Sequence, residues 1–198
     1  MKYIIVILIG FLLGSLSASI FMSRRVYGCD VRLCGSGNAG ATNMARVYGV
    51  KAGLLTLAAD MAKTAAAMWL GWLILGEAGL ALGGAACITG HCWPVYHSFS
   101  GGKGVSAGAA IALVIDWRVF AAVIAVFATV AVLSKKVSLG SLCGAVTIAV
   151  SALLFGLSLP RILLAVYGML LVIMRHKDNI LRLIDGEEKD FTPGKKPG

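Results

Sequence analysis

The sequence predicts an all-α integral membrane protein with about seven transmembrane or partial helices. Of its 198 residues, 59% are hydrophobic and only 14% are charged, whereas soluble domains carry about 25% charged residues. The mean hydropathy is +0.87, and long apolar runs recur along the whole chain. Repeated runs of this kind are typical of proteins that cross a bilayer several times.

Seven apolar stretches are candidates for helices: 2–22, 53–76, 79–97, 104–115, 117–134, 138–157 and 160–175. A spanning helix needs about 20 residues, so we expect 104–115 to be partial, tilted or buried against its neighbours. The first stretch carries one lysine and no convincing cleavage site, so we expect it to remain as a helix. We treat 1–198 as a single membrane-embedded domain, with 176–198 as a polar cytoplasmic tail.

The net charge of +9 is interpreted as a signal of membrane orientation and of contact with anionic headgroups, not of nucleic-acid binding. With the N-terminus outside, the outside stretches hold only Lys2, Arg118 and Arg161, while Lys63 lies within a helix. The inside stretches hold the other basic residues: Arg24, Arg25, Arg32, Arg46, Lys51, Lys103, Lys135, Lys136, Arg175, Lys177, Arg182, Lys189, Lys195 and Lys196. The positive-inside rule therefore predicts an external N-terminus and a cytoplasmic C-terminus.

The chain has five cysteines: Cys29, Cys34, Cys87, Cys92 and Cys143. Their odd number and the lack of CxxC pairs argue against a disulfide framework. The spacings of these cysteines and of the neighbouring histidines match no familiar zinc site. We therefore expect small buried thiols.

Four polar stretches fall on the cytoplasmic side in this topology: GSGNAGATN at 35–43, SGGKG at 100–104, KKVSLGS at 135–141 and RHKDN at 175–179. The order of the helices alone does not require that they share a side. Their convergence on one face therefore predicts a single site.

The first stretch combines flexible backbone with hydrogen-bonding groups. Its glycines and neutral polar side chains are Gly35, Gly37 and Gly40, and Ser36, Asn38, Thr42 and Asn43. Glycine permits positive φ and a close approach of N–H groups to a ligand, and Arg46 adds a guanidinium suited to phosphate. We interpret the stretch as an anion-binding loop leading to a helix N-terminus. It is not a P-loop, because no Gly-Lys-Ser/Thr ends it; the alternative is a tight turn between packed helices.

The second stretch places Lys103 at the tip of a loop with Gly101 and Gly102. His91, shortly before it, is either a general base or a hydrogen-bonded structural histidine.

Asp60 and Lys63 lie one turn apart inside an apolar stretch, where ionisable residues are costly. They either neutralise each other or act near the site.

The last two stretches are weaker signals. Ser138 and Ser141 can supply donors at a helix start, whereas the two lysines before them are assigned to the inner leaflet. Arg175, His176 and Asn179 can share one helix face. The alternative for 175–183 is a solvated amphipathic extension lying on the membrane.

Two anion-binding loops with several cations point to a ligand that carries phosphate groups. The chain has no run of paired carboxylates, so a metal-dependent phosphotransferase is not expected. It also lacks the His-x4-Asp motif of another class of acyltransferase.

Taken together, GSGNAGATN with Arg46, GHCWP followed by GGKG, VSLGS and RHKDNILRL resemble the motifs of the bacterial acyl-phosphate:glycerol-3-phosphate acyltransferases, the PlsY family. The order and spacing match from the Gly14-Ser15 pair to Glu188. Three positions depart from the usual pattern: Leu16 replaces a common proline, Trp93 a phenylalanine, and Ser100 a basic residue.

The resemblance implies a multi-pass, seven-helix enzyme of the bacterial cytoplasmic (inner) membrane, with its active site on the cytoplasmic face. Such enzymes move a fatty acyl group from acyl phosphate to the 1-position of sn-glycerol 3-phosphate, giving lysophosphatidic acid and phosphate. By motif, the residues implied in catalysis are Ser36, Lys103, Ser141, His176 and Asn179. Those implied in substrate binding are Arg46, Gly37, Asn38, Gly40, Thr42, Asn43, Gly101, Gly102 and Ser138.

We expect no metal and no cofactor, because cations and backbone N–H groups can neutralise phosphate unaided. The expected partners are acyl phosphate, glycerol 3-phosphate and membrane lipid, with no nucleic acid, and the protein is expected to be a monomer. The alternative function is a membrane transporter of a phosphorylated metabolite. It is less favoured, because all the motifs share one face and no pair of broken segments recurs in two repeated halves.

Overall fold

The computed structural model describes residues 1–192 and 194, and in this part of the chain it contains only helices, turns and loops. The helices are α1 (Lys2–Ser15), α2 (Ala18–Val26), α3 (Ala41–Tyr48), α4 (Val50–Cys92), α5 (Val105–Ile115), α6 (Trp117–Ser134), α7 (Val137–Leu154), α8 (Leu159–Arg175) and α9 (Lys177–Ile184). Lys195 and Lys196, which were counted for the orientation, lie outside the described residues.

The first apolar stretch, 2–22, is helical as predicted, but it is broken into α1 and α2 between Ser15 and Ala18. Leu16 is extended, and Ser17 caps α2 by accepting a hydrogen bond from the backbone N–H of Ile20 at 3.4 Å. Lys63 donates to the Leu16 carbonyl at 2.6 Å. The break therefore forms without a proline at position 16, because a serine cap and a lysine satisfy the backbone groups that the interruption leaves free.

Helix α4 is a hairpin of two arms, residues 50–74 and 77–92, because the chain leaves helical geometry at Leu75 and Gly76. Gly76 has φ +59, a value that favours glycine. The arms correspond to the predicted stretches 53–76 and 79–97. The second arm ends at Cys92, just before Pro94, and a short 3₁₀ turn follows at Val95–His97.

Glycines allow the hairpin arms and α1 to pack at very short range. A Cβ atom on Gly71 would overlap the carbonyl oxygen of Gly79 in the other arm, and one on Gly83 would overlap that of Ala67. On α1, a Cβ at Gly14 would likewise overlap the backbone of Cys87. Small residues at such contacts are the usual means of close helix packing in membranes.

Helix α5 is short and is enclosed by other helices. It packs on α4, α6 and α8, and Ala107, Ile111, Ala112 and Ile115 are almost fully buried. The structure confirms burial against neighbours for 104–115, and a partial or tilted crossing stays a prediction. The surrounding apolar core extends into α6, α7 and α8.

Four described stretches are long and apolar enough to cross a membrane: Lys2–Val26, Val50–His97, Trp117–Ser134 and Val137–Leu154. Helices α8 and α9 meet this criterion only together, and they are bent by 61° relative to each other. The bend separates an apolar α8 from the polar segment that begins at His176, and this segment turns back over the end of the bundle.

Candidate active site

A cavity of about 650 Å³ lies at the end of the bundle where the four polar stretches meet. Eleven of the residues implied by the motifs line it: Ser36, Asn38, Gly40, Thr42, Asn43, Arg46, Lys103, Ser138, Ser141, His176 and Asn179. Three of the implied glycines do not: Gly37, Gly101 and Gly102. The rest of the wall is largely apolar and comes from α4, α5, α6 and α7, so the cavity has a polar part and an apolar part.

Asn43 organises the glycine-rich loop. Its side chain is only 1% exposed, and its amide oxygen accepts a hydrogen bond from the backbone N–H of Ser36 at 2.9 Å. Its amide nitrogen lies 3.0 Å from the carbonyl oxygens of Val31, Cys34 and Asn38. Because both ends of the amide are occupied by backbone, the contribution of Asn43 to the site is to shape the loop.

The glycines of this loop play different parts. Gly35 and Gly37 have φ of +60 and +72, as the sequence predicted. Gly40 does not: with φ −141 it is extended, and it is the N-cap residue of α3. The cap has no side chain to satisfy the first N–H groups of α3. These groups, at Ala41 and Thr42 beside the cavity, are therefore available to an anion.

The loop before α5 is pressed against the end of the second arm of α4. The Gly102 N–H donates to the His91 carbonyl at 3.1 Å, and a Cβ on Gly101 or Gly102 would overlap His91. These two glycines therefore place Lys103 without touching the cavity. The Lys103 ammonium donates a hydrogen bond to the side-chain oxygen of Asn179 on α9.

A chain of hydrogen bonds continues from Asn179 into the C-terminal segment. Asn179 donates to one carboxylate oxygen of Glu188 at 2.6 Å, and Arg182 donates to the other at 2.8 Å. Although burial opposes it, the side chains of Ser138, Arg182 and Asn179 lower the pKa of Glu188 from its ordinary value. Lys136 also donates to the Glu188 backbone carbonyl at 2.9 Å, so the segment after α9 is fastened across the cavity.

His176 lies just beyond the end of α8 and is 3% exposed. Its Nδ1 is 2.8 Å from the carbonyl oxygen of Val172, which assigns the proton to Nδ1 and leaves Nε2 as an acceptor. Burial lowers the pKa of His176 to about 4, and the nearby cations Lys103 and Arg175 act in the same direction. The ring is therefore neutral at pH 7.

The two serines of α7 differ in their bonding. Ser141 donates to the carbonyl of Val137 one turn earlier at 2.9 Å. The Ser138 hydroxyl is buried near the Glu188 carboxylate, and it makes no hydrogen bond of standard geometry among the described residues. A buried hydroxyl beside a cavity has an unused donor and two unused acceptor positions, which a polar ligand can satisfy.

An ionic cluster in the hairpin lies behind the Lys103 loop. Lys63 forms an ion pair with Asp60 at 2.8 Å, and its ammonium is 3.2 Å from Nδ1 of His91. Asp60 is 1% exposed. The structure therefore confirms that the two charges neutralise each other, and the pair also contacts His91 in the cavity wall. The contacts of His91 are those of a hydrogen-bonded structural histidine.

The sequence interpretation missed several lining residues and misjudged the 175–183 segment. Arg182 and Glu188 line the cavity, although Arg182 was considered only as part of a surface extension and Glu188 only as the last residue of the resemblance. Arg175 is outside the cavity: it donates to the Gly102 carbonyl at 3.3 Å and lies over the Trp93 ring at 5.3 Å. The basic character of the segment did not distinguish these roles.

The comparisons with known proteins agree with this geometry. A sequence model of a family described as glycerol-3-phosphate acyltransferase matches residues 4–186. The chain belongs to the glycerol-3-phosphate acyltransferase family. A protein of Finegoldia magna with that name is 36% identical over 196 residues, covering 95% of this chain and 97% of the relative. A namesake from Rubrobacter xylanophilus is 37% identical over 192 residues, with 96% of each covered.

Two crystal structures of family members have the same fold. Both are of PlsY (YgiH), an integral membrane glycerol 3-phosphate acyltransferase, one in its glycerol 3-phosphate form and the other in its lysophosphatidic acid form. Their TM-scores are 0.91 and 0.90, at 28% identity, over 97% of this chain and 96% of theirs. The alternative function of a metabolite transporter is not favoured by these findings.

Proposed function

We propose that this member of the family transfers a fatty acyl group from acyl phosphate to the 1-position of sn-glycerol 3-phosphate. One observation carries the proposal: a single cavity joins a cationic end to an apolar groove. Acyl phosphate needs both, because it has a phosphate at one end and a hydrocarbon chain at the other. Glycerol 3-phosphate needs only the cationic end.

The polar end supplies the groups that hold phosphate. Arg46 and Lys103 line the cavity, and neither forms an ion pair with a carboxylate in the described part of the chain. The first N–H groups of α3 and the hydroxyl of Ser36 lie at the same end. Hydrogen bonds between charged partners are the stronger ones, so these two cations are the main phosphate ligands of the proposal.

The apolar end holds the acyl chain. Phe120, Phe127 and Ile148 line it from α6 and α7. Ser138 and Ile148 are ten residues apart on α7, which corresponds to about 15 Å along the helix. A groove of this length accepts a substantial part of a fatty acyl chain and leaves the carbonyl near the serines.

The chemistry requires positioning more than a strong base. Acyl phosphate is an activated mixed anhydride, so the site has to hold the glycerol hydroxyl near the acyl carbonyl and stabilise the oxyanion that forms. The new C–O bond forms as the bond to phosphate breaks, and a phosphate oxygen of a substrate accepts the hydroxyl proton. Ser36, Ser141 and Asn179 orient the reactants, and neutral His176 accepts a hydrogen bond at Nε2.

In the cell, the proposal places the protein in the bacterial cytoplasmic membrane as a monomer with seven crossings. The N-terminus is outside, and the cavity opens to the cytoplasm. This orientation is supported by the excess of lysine and arginine in the stretches around the cavity. Membrane lipid surrounds the apolar helices.

The experiment is to purify the full chain in detergent, add acyl phosphate and radiolabelled glycerol 3-phosphate, and look for lysophosphatidic acid. We expect product with acyl phosphate and none with acyl coenzyme A in a parallel reaction. Excess EDTA should leave the rate unchanged, since no group of three or more His, Cys, Asp or Glu in the described residues is placed to hold a metal ion. Absence of product with acyl phosphate would contradict the proposal.

A further inference from the structure

Cys29 and Cys34 form a close pair of thiols beside the glycine-rich loop. Their sulfur atoms are 3.5 Å apart, and both residues are free and partly exposed. The other cysteines differ from this pair. Cys87 and Cys92 are buried, and Cys143 has no sulfur neighbour at hydrogen-bond distance among the described residues.

The segment between the two thiols is fixed at both ends. At Cys29, the backbone carbonyl accepts a hydrogen bond from the Tyr48 hydroxyl at 3.4 Å, and the N–H donates to the Ser23 carbonyl at 3.3 Å. A 3₁₀ turn at Val31–Leu33 then brings Cys34 back towards Cys29. The local fold therefore holds the two thiols close together.

Cys34 is joined directly to the phosphate-binding loop. Its carbonyl oxygen accepts hydrogen bonds from the Gly37 N–H and the Asn43 amide, each at 3.0 Å. Gly35 and Ser36 follow it in the chain. A displacement of Cys34 therefore changes the position of the Ser36 backbone and of the amide that holds the loop.

We propose that Cys29 and Cys34 are a site of reversible oxidation, at which a peroxide converts the two thiols to an intramolecular disulfide and thereby weakens glycerol 3-phosphate binding. One thiolate attacks a peroxide oxygen, giving a sulfenic acid and, with hydrogen peroxide, one water. The second thiol attacks the sulfenic sulfur, the S–S bond forms, and a second water leaves. A dithiol reductant reverses the reaction by thiol–disulfide exchange.

The effect on binding follows from the geometry of the bond. A disulfide has its sulfur atoms about 2.05 Å apart, so the pair has to close by roughly 1.5 Å from its present separation. Because the Cys34 carbonyl accepts hydrogen bonds from Gly37 and Asn43, the part of this movement that Cys34 takes up is passed to the glycine-rich loop. Disulfides of this kind in a reducing compartment are typically transient and redox-sensing.

Mass spectrometry tests the chemical step without reference to activity. Trypsin cuts after Arg25, Arg32 and Arg46, so the two cysteines fall in different peptides, 26–32 and 33–46. After treatment of the purified full chain with hydrogen peroxide, alkylation and digestion, we expect these peptides joined with the loss of two hydrogens. Dithiothreitol should separate them, and thiol titration should show a loss of two of the five thiols.

Matched variants assign the effect. Cys29→Ser and Cys34→Ser should each abolish the joined peptides, whereas Cys143→Ser should retain them. Peroxide should raise KM for glycerol 3-phosphate about ten-fold in the native protein and in Cys143→Ser, a change corresponding to one lost hydrogen bond to a charged group. Cys29→Ser and Cys34→Ser should keep the KM of their untreated forms.

The kinetic arm rests on the proposed function, but the peptide arm does not, so failures of the two are distinguishable. If the reduced protein makes no lysophosphatidic acid, the proposed function fails while the joined peptides can still be scored. Absence of the joined peptides in peroxide-treated native protein overturns the oxidation site. If the peptides are joined but KM is unchanged, the link between the disulfide and substrate binding is overturned. The same holds if peroxide also raises KM in Cys29→Ser.

Discussion

Lys103 and Arg46 reach the cavity from two separate elements, the loop before α5 and helix α3. Lys103 follows two glycines that lie outside the cavity wall, and Arg46 is on the helix capped by Gly40, which lines the cavity. Lys103 has its position because Gly101 and Gly102 fit against His91, and Arg46 because Gly40 starts α3 where it does. At the scale of single residues, the site is therefore a set of cations held by backbone geometry.

Removal of either cation should cost substrate binding or rate. We expect Lys103→Ala and Arg46→Ala each to lose about ten-fold or more in kcat/KM, because a hydrogen bond to a charged group is worth roughly 1.5–3 kcal/mol. Steady-state kinetics with both substrates measure the effect. Lys135→Ala is the matched control, since Lys135 is exposed and outside the cavity wall. Normal kinetics in both cavity variants would refute their assignment.

His176 should orient substrate and not act as the general base. Because the pKa of His176 is held near 4, we expect His176→Gln, which keeps a hydrogen-bonding group, to retain much of the rate and the wild-type dependence of kcat on pH. His176→Ala should be slower. If both variants instead lose roughly the 10²–10⁴-fold typical of a missing general base, together with an acid limb of the profile, the substrate-assisted mechanism is wrong.

The same histidine should make the fold sensitive to acid. In the folded protein it takes up a proton near pH 4, whereas the unfolded chain does so near pH 6.5. The unfolded state binds more protons between these values, so acidification from pH 7 favours unfolding. The Tm of the native protein in detergent should fall between pH 7 and pH 5, and that of His176→Gln should fall less. An equal fall would show that other groups dominate.

At the scale of elements, the bundle depends on backbone contacts that only glycine allows. Within the hairpin of α4, Gly71 in one arm meets Gly79 in the other. Helix α1 packs on the second arm through the same kind of contact at Gly14. These glycines have ordinary helical geometry, so their importance lies in the space they leave.

Gly71→Ala should destabilise the protein, because its new methyl group would meet the Gly79 backbone, which cannot rotate away. Overpacking typically costs about 1–3 kcal/mol, which corresponds to a fall in Tm of roughly 2–10 °C for a chain of this size. Gly168→Ala is the matched control, since a Cβ there would meet Ile111 at 3.8 Å, an ordinary contact. Thermal unfolding in detergent should separate the two variants. Equal Tm values would mean that the two arms of α4 move apart enough to accept the methyl group without loss of stability.

A structural element could be predicted from the sequence where neighbouring residues determine it, and could not where distant residues do. Positive φ at Gly35 and Gly37 could be predicted, because glycine in a short polar loop is a local signal. The break after Ser15 could not, since it depends on Lys63, which is 47 positions along the chain from Leu16. The pairing of Asn179 with Glu188 was missed for a similar reason, because a polar segment that folds back resembles one that remains in solvent.

At the scale of the whole molecule, the convergence of the four polar stretches could be predicted, and their contacts within the cavity could not. The charge bias assigns each stretch to a side of the membrane, which is enough to bring them to one end. It does not say that Arg175 holds a loop while Arg182 lines the cavity. Those roles depend on the rotation of α8 and α9 about their axes, and this is set by packing.

The predicted orientation can be tested with single cysteines in a version of the protein in which all five native cysteines are replaced. We expect a cysteine at Lys2 to react with an impermeant maleimide in intact cells, and one at Glu187 to react only after the cells are broken. Both positions are exposed. The control is the cysteine-free parent, which should not react. Labelling at 187 but not at 2 in intact cells would contradict the predicted orientation and indicate the opposite one.

The apolar end of the cavity is not sealed from its surroundings. Ile124 lines the cavity and is 42% exposed. A hydrocarbon tail lying there touches protein on one side and the bilayer on the other. Under the proposed function, we therefore expect substrate and product to exchange with the leaflet by sideways diffusion, without the tail passing through water. We then expect the speed of turnover to depend on the thickness and fluidity of the surrounding lipid as well as on the enzyme.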